Sequence, residues 1–144
     1  MSIAAGEIVT AARLNLLQPV TYYAQGSGTL AGAATNGDVP SATVTFDTQN
    51  DNAVYAVTGV WDWDLTGATT STGTARIAVD GVNQSPLCTF AGEVGTDRAT
   101  VTQSYRGTLA AAGSHTIKLV ASPAANQQIQ GANSSISIAI YEVV

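Results

Sequence analysis

Cys88 and His115 are the only cysteine and the only histidine in this chain of 144 residues, so a thiol nucleophile with an imidazole base could be built only from these two. Cys88 falls in a run read as a strand, where cysteine usually packs as a small core hydrophobe, and His115 stands beside a turn; the pair is not expected to do nucleophilic chemistry. One histidine excludes a multi-histidine metal centre, and one cysteine cannot build a tetrahedral zinc site. Oxygen ligands are better supplied. Asp47, Asn50, Asp51, Asp62 and Asp64 fall at predicted strand ends, and carboxylate and amide oxygens are what calcium takes. Yet Asp47-x-Gln49-x-Asp51 lacks the glycine and distal Glu of the helix-loop-helix calcium loop, and Asx turns are the other reading of these acids. Trp61 and Trp63 share one face of a predicted strand next to acids, the combination a glycan platform uses; the alternative buries them in the core or at a subunit contact. No glycine-rich phosphate loop and no pair of catalytic carboxylates with a plausible cleft appears. The chain is expected not to be an enzyme and to carry no cofactor or metal.

Composition narrows the partners. Charged residues make up 10% of the chain against 45% hydrophobic, with a net charge of −5. The single Lys and the four Arg are scattered, so no basic stripe could neutralise a run of phosphates, and nucleic acid is not an expected partner. So little charge would leave much of a monomer's surface bare, which is tolerable where that surface is covered by other subunits. A lone cysteine fits synthesis in a reducing cytoplasm. No Lys or Arg precedes Glu7, and no apolar run approaches the ~18 residues of a membrane span, so neither a signal peptide nor a membrane is expected.

The elements that must position these residues read as β. In Ser134 to Val144, Ile136, Ile138 and Ile140 alternate with Ser135, Ser137 and Ala139, the period of a half-buried strand. So apolar a strand should be central in its sheet, because a free edge would template aggregation. Val20 to Ala24 is a first strand, Gln25 to Ala42 a long Gly/Ala/Ser/Thr-rich arm or surface loop, and Thr43 to Asp47 the next strand. Asn52 to Leu65 is the longest. Tyr55, Val57, Gly59, Trp61 and Trp63 fall on one of its faces and Val54, Ala56, Thr58, Val60, Asp62 and Asp64 on the other. Apolar on both sides as far as Val60, it is either central in a sandwich or at a subunit contact, which makes Val54, Ala56, Thr58 and Val60 the candidate oligomer interface. Thr74 to Val79 follows, then Asp80-Gly81, a hairpin signal that returns Val82 to Phe90 antiparallel with Pro86 demoting its middle. Ala99 to Leu109 and His115 to Ala121 are strands, and Pro123 to Asn133 is a polar loop. The reading is an all-β, antiparallel, jelly-roll-like sandwich of about eight strands. A short helix precedes it, with Thr10 as N-cap and Pro19 as stop. Residues 1–19 form an N-terminal segment and 20–144 the body. Such a helix is marginal alone and must dock Leu14 and Leu17, either on its own sandwich or on a larger structure.

The opening Gly6-Glu7-Ile8-Val9-Thr10-Ala11-Ala12-Arg13-Leu14-Asn15 resembles the "G-x-V-L-T-A-A-x-L-N" start of small structural proteins of tailed bacteriophages, described as decoration, head-fibre or minor tail proteins. Ile8-Val9 replaces the usual Val-Leu, and Arg13 stands where an acid or amide is commoner. The last two strands are similar in pattern to the closing part of the tumour-necrosis-factor-like jelly rolls, which are trimers. The resemblance implies a virion structural protein, a capsid decoration or minor tail component made in a bacterial cytoplasm. It would assemble as a homotrimer and attach to phage capsid or tail proteins through Ile8, Val9, Leu14 and Leu17. The alternative is a receptor- or carbohydrate-binding module on the virion surface.

Overall fold

The computed structural model describes residues 10–142. Two antiparallel sheets face one another. The first holds β1 (Val20–Gln25), β11 (Ser135–Tyr141), β4 (Ala53–Leu65) and β8 (Arg98–Leu109) side by side; β10 (Gln127–Gln130) continues the β11 position along the far end of β4 and carries β2 (Thr29–Leu30) at its edge. The second holds β3 (Gly37–Thr48), β9 (Gly113–Ser122) and β5 (Ser71–Val79), with β7 (Cys88–Gly92) and the two-residue β6 (Val82–Asn83) both on the outer side of β5. Setting aside β2, β6 and β10, eight principal strands make a jelly-roll-like sandwich. β11 lies between β1 and β4, the central place its isoleucines demand.

Period two does the rest. Ile136, Ile138 and Ile140 of β11, Tyr55, Val57, Trp61 and Trp63 of β4, and Ile117, Leu119 and Ala121 of β9 all turn inward and are buried. Each aromatic ring of β4 lies over a glycine. A Cβ on Gly59 would stand 2.4 Å from Trp61 Cη2, one on Gly73 2.4 Å from Trp63 Cζ3, and one on Gly107 would meet the Tyr55 ring. Trp63 also stacks on Phe90 of the opposite sheet at 5.6 Å between ring centres, and Tyr22 on Phe46 at 5.1 Å. Asp80 (φ 49°) and Gly81 (φ 81°) make the two-residue turn expected of Asp-Gly, since both need the left-handed region. The returning chain is interrupted around Pro86, which follows a cis peptide bond, and resumes as β7.

Three sequence expectations are corrected. Gln25 to Ala42 is not a single loop: it contains β2 and the first part of β3, whose register slips between Asp38 and Thr43, around Pro40 and a positive φ at Ser41, while Val39 and Ala42 remain buried. Pro123 to Asn133 holds β10 and a 3-10 turn, Gly131–Asn133. The short N-terminal helix expected over Thr10 to Gln18 is no folded part of the sandwich; only Ala11–Leu16 is helical, less than two turns, and Leu14 and Leu17 are 51% and 42% exposed rather than docked on the core. Ile8 and Val9, the other two proposed attachment residues, and Val143 and Val144 of the last strand lie outside the described residues. No described helix is long and apolar enough to cross a membrane.

Candidate functional site

The outer face of the first sheet is set out in rows by strand register. Thr21, Ala139, Ala56 and Arg106 make one row across β1, β11, β4 and β8; Tyr23, Ser137, Thr58 and Ser104 the next; Gln25, Ser135, Val60 and Thr102 the third. Val54 stands at one end beside Tyr141 and Thr108. In these rows Arg106 is the only charge. The side chains are small because the inward positions already carry the large residues of each strand, so the outer surface is low and forms an open cavity of about 540 Å³ centred on Thr58 and Ser137 and flanked by Tyr23. Val54, Ala56, Thr58 and Val60 are all partly exposed on it. Thr58 and Ser104 hydroxyls are 3.4 Å apart, and Tyr23 is 63% exposed.

The outer face of the second sheet is different. Asp38 of β3 and Lys118 of β9 form an ion pair at 2.7 Å. Asp47 and Arg76 also lie on this face by register, among Thr43, Thr45 and Thr116. Charged residues are spread over this face, whereas on the first sheet the three rows between Val54 and Val60 hold one charge, Arg106.

Beyond Val60 the first face becomes polar. Asp62, 3% exposed, accepts from Arg98 through both carboxylate oxygens, with Nε at 3.1 Å from Oδ1, and from Asn133 Nδ2 at 2.8 Å. Asp64 Oδ2 accepts from Gln128 (2.7 Å) and Gln130 (3.0 Å), which hold its carboxyl below the ordinary value. This cluster is internally satisfied. The five oxygen-ligand candidates do not converge: Asp51 accepts from the Ala112 amide at 2.8 Å and Asn50 binds Glu142, at the opposite end of β4 from Asp62 and Asp64. Among the described residues no group of three His, Cys, Asp or Glu could hold a metal ion.

Of the two readings of Trp61 and Trp63, burial in the core holds and the glycan platform does not. Both are 0% exposed, and the acids adjacent to them in sequence point to the other face of the sheet. Cys88 and His115 are also apart. Cys88 pairs with Ala75, which pairs with Ala121, six residues along β9 from His115, about 20 Å at strand rise. Burial pushes the Cys88 thiol up to about 11. The exposed Tyr23, which sequence reading passed over, was legible as the outward neighbour of Tyr22 on an alternating strand.

No protein-family model matches this sequence, and no curated protein matches it. Solved structures do match in fold. The Eiger TNF structure from S. frugiperda superposes with a TM-score of 0.52 at 11% identity, covering 88% of this chain and 94% of that one. Dimeric latent PorU from Porphyromonas gingivalis gives a TM-score of 0.52 at 11% identity over 85% of this chain but 12% of the larger protein. The carbohydrate-binding module CBM36, in complex with calcium and xylotriose, aligns at 17% identity over 83% of this chain and 87% of the module, with a TM-score of 0.37. At these identities the likeness is one of fold alone: the body of this chain is a jelly-roll-like β-sandwich of the kind found in tumour-necrosis-factor-like proteins.

Proposed function

We propose that this chain is a self-assembling structural module, a homotrimer joined through the outer face of the β1–β11–β4–β8 sheet, serving as a bacteriophage virion structural protein. The observation that carries the reading is the three-row field of the first sheet, where Arg106 is the one charge and which ends at the Asp62–Arg98 pair, against a second sheet whose outer face carries Asp38, Lys118, Asp47 and Arg76. Removing an uncharged surface of methyls and hydroxyls from water, with the hydroxyls paired across the contact, costs less in desolvation than removing a face with Asp38, Asp47, Arg76 and Lys118. A cyclic trimer needs two different surfaces on each copy. The face is one. The outer side of β1, an edge strand whose sequence Val-Thr-Tyr-Tyr-Ala-Gln has neither charge nor proline to blunt it, is the other. The virion role rests on the resemblance of Gly6 to Asn15 to the opening of phage structural proteins, with exposed Leu14 and Leu17 as the apolar residues a particle would cover. Sedimentation equilibrium tests the assembly. The full chain should sediment as a trimer at micromolar concentration, and Thr58→Arg, which places a cation in the middle row, should sediment as a folded monomer; a monomeric wild type, or a trimeric variant, would overturn the reading.

A second reading is favoured by the row Tyr23, Ser137, Thr58 and Ser104. Three hydroxyls in register beside an exposed phenol ring, around an open cavity, offer an uncharged polyol both hydrogen bonds and a stacking surface. A glycan array with wild type and Tyr23→Ala separates it from self-assembly: binding lost in the variant supports a carbohydrate site, and an empty array with a trimeric mass rules it out.

A further inference from the structure

At the end of the sandwich where β3 turns into β4, three loops are tied by side chains to backbone groups. Asp51 holds the Ala112 amide at 2.8 Å, and Glu142 holds the amides of Gln49 (2.9 Å) and Asn50 (3.1 Å). The third tie is His115, 8% exposed. Its Nδ1 is 2.7 Å from Asp80 Oδ2 in the β5–β6 turn and its Nε2 is 2.9 Å from the carbonyl oxygen of Ala111 in the β8–β9 loop. A carbonyl and an ionised carboxylate only accept, so both ring nitrogens must carry protons for both bonds to exist. The other oxygen of Asp80 accepts from the Thr116 amide at 2.8 Å. From β3 the Phe46 ring packs at 6.0 Å, and the negative charge of Asp47, the next residue along β3, also favours the protonated ring.

We propose that His115 is a proton-operated latch between the β8–β9 loop and the Asp80 turn, closed as imidazolium and released on the Ala111 side when the ring is neutral. The neutral ring keeps its one proton toward the carboxylate, the stronger acceptor, which leaves the Nε2 lone pair against the Ala111 oxygen. Burial alone would lower the His115 pKa, but the bonds to Asp80 and Ala111 and the charges of Asp80 and Asp47 outweigh it, and the net direction is up from 6.5. Asp80 in turn, although burial raises its carboxyl, is held below 3.8 overall by His115 and the Thr116 amide, so it stays ionised through the range in which the latch works. The sign follows. The released form keeps Asp80 and loses only the bond to Ala111, so its pKa lies below that of the closed form by what that bond contributes. While both forms are protonated the latch is at full strength; between the two pKa values the released form loses its proton and the closed form keeps it, so opening grows by up to about tenfold per pH unit, then levels off.

The only histidine in the chain makes the test direct. Proton NMR of the full-length protein should show its ring titrating with a midpoint above 6.5. Over the same range the exchange protection of the Ala112 amide, corrected for intrinsic base catalysis, should fall by up to about tenfold per pH unit to a plateau while that of Thr116 holds. His115→Gln should remove the pH step, and Asp80→Asn, chosen in case the first variant does not fold, should bring the ring's midpoint down. A wild-type midpoint at or below 6.5, flat protection at Ala112, simultaneous loss at Thr116, or an unmoved midpoint in Asp80→Asn would each overturn the latch.

Discussion

Replacing Gly59 by alanine tests the packing that keeps Trp61 off the surface. The new methyl would lie 2.4 and 2.7 Å from Trp61 Cη2 and Cζ3 and 2.9 Å from Leu119 Cδ2, distances no Cβ sustains. Trp61 and Leu119 are both 0% exposed, so the ring has no solvent to swing into and must push the facing sheet. Overpacking of this kind costs ~1–3 kcal/mol. Against it stands the ordinary gain of ~0.5–1 kcal/mol from replacing glycine within a strand. At the midpoints of these ranges the net is a loss of about 1.25 kcal/mol, and at ~2–4 °C per kcal/mol for a chain of this size the melting temperature should fall by roughly 2.5–5 °C. Far-UV circular dichroism measures the melt, and the near-UV bands of the indoles should change with it. An exposed tryptophan would move aside at no cost, so an unchanged or raised melting temperature in Gly59→Ala would refute the reasoning and return Trp61 to the surface.

Three other outcomes are expected. Asp62→Ala, which deprives Arg98 and Asn133 of their shared acceptor, should lower stability by roughly 1–3 kcal/mol by denaturant titration, the range for a hydrogen-bonded charged group. Cys88, 4% exposed and with its thiol pushed up to about 11, should not react with a thiol reagent at pH 8 in the native protein and should react promptly once denatured; fast native labelling would contradict its place in the core. Gly73→Ala should repeat the Gly59→Ala effect through Trp63, since its Cβ would meet that ring at 2.4 Å and Gln127 Oε1 at 2.3 Å, and a melt equal to wild type would count against it.

Much of the fold could be read from period two, because each strand has one job per face. The alternation of Ile136, Ile138 and Ile140 located β11 between two neighbours, and Asp80-Gly81 located its turn, since both signals depend on a few adjacent residues. The segments that misled are those whose partners are remote in sequence. Leu30 of β2 finds Ile129, and Gly37 to Ala42 joins its sheet only by accommodating Pro40 with a register slip against β9. No local periodicity signals such a strand, because the slip breaks the alternation that would reveal it. The helix fails for a different reason: good formers after Thr10 set a propensity, but Leu14 and Leu17 stay exposed and add no docking to it, and propensity alone supports little at that length.

The candidate site divides along the same line. Reading Trp61 and Trp63 beside Asp62 and Asp64 as a platform treated neighbours in sequence as neighbours in space, and in a strand the two sets must face opposite ways. Gly59 and Gly73 carried the missing information, since a glycine beneath a ring is a space the ring fills from inside. Once the aromatics turn inward, the outward positions of the same strands are left with what the sequence allots them, Val54, Ala56, Thr58 and Val60 on β4 and Ser135, Ser137 and Ala139 on β11. The strict alternation along β4 and β11 that buries the large residues also sets these small, uncharged ones outward, as far as Val60, where Asp62 and Asp64 take over. A substitution such as Thr58→Arg can disturb the face without touching the core behind it, and that separation is what lets assembly and folding be measured as different quantities in one variant.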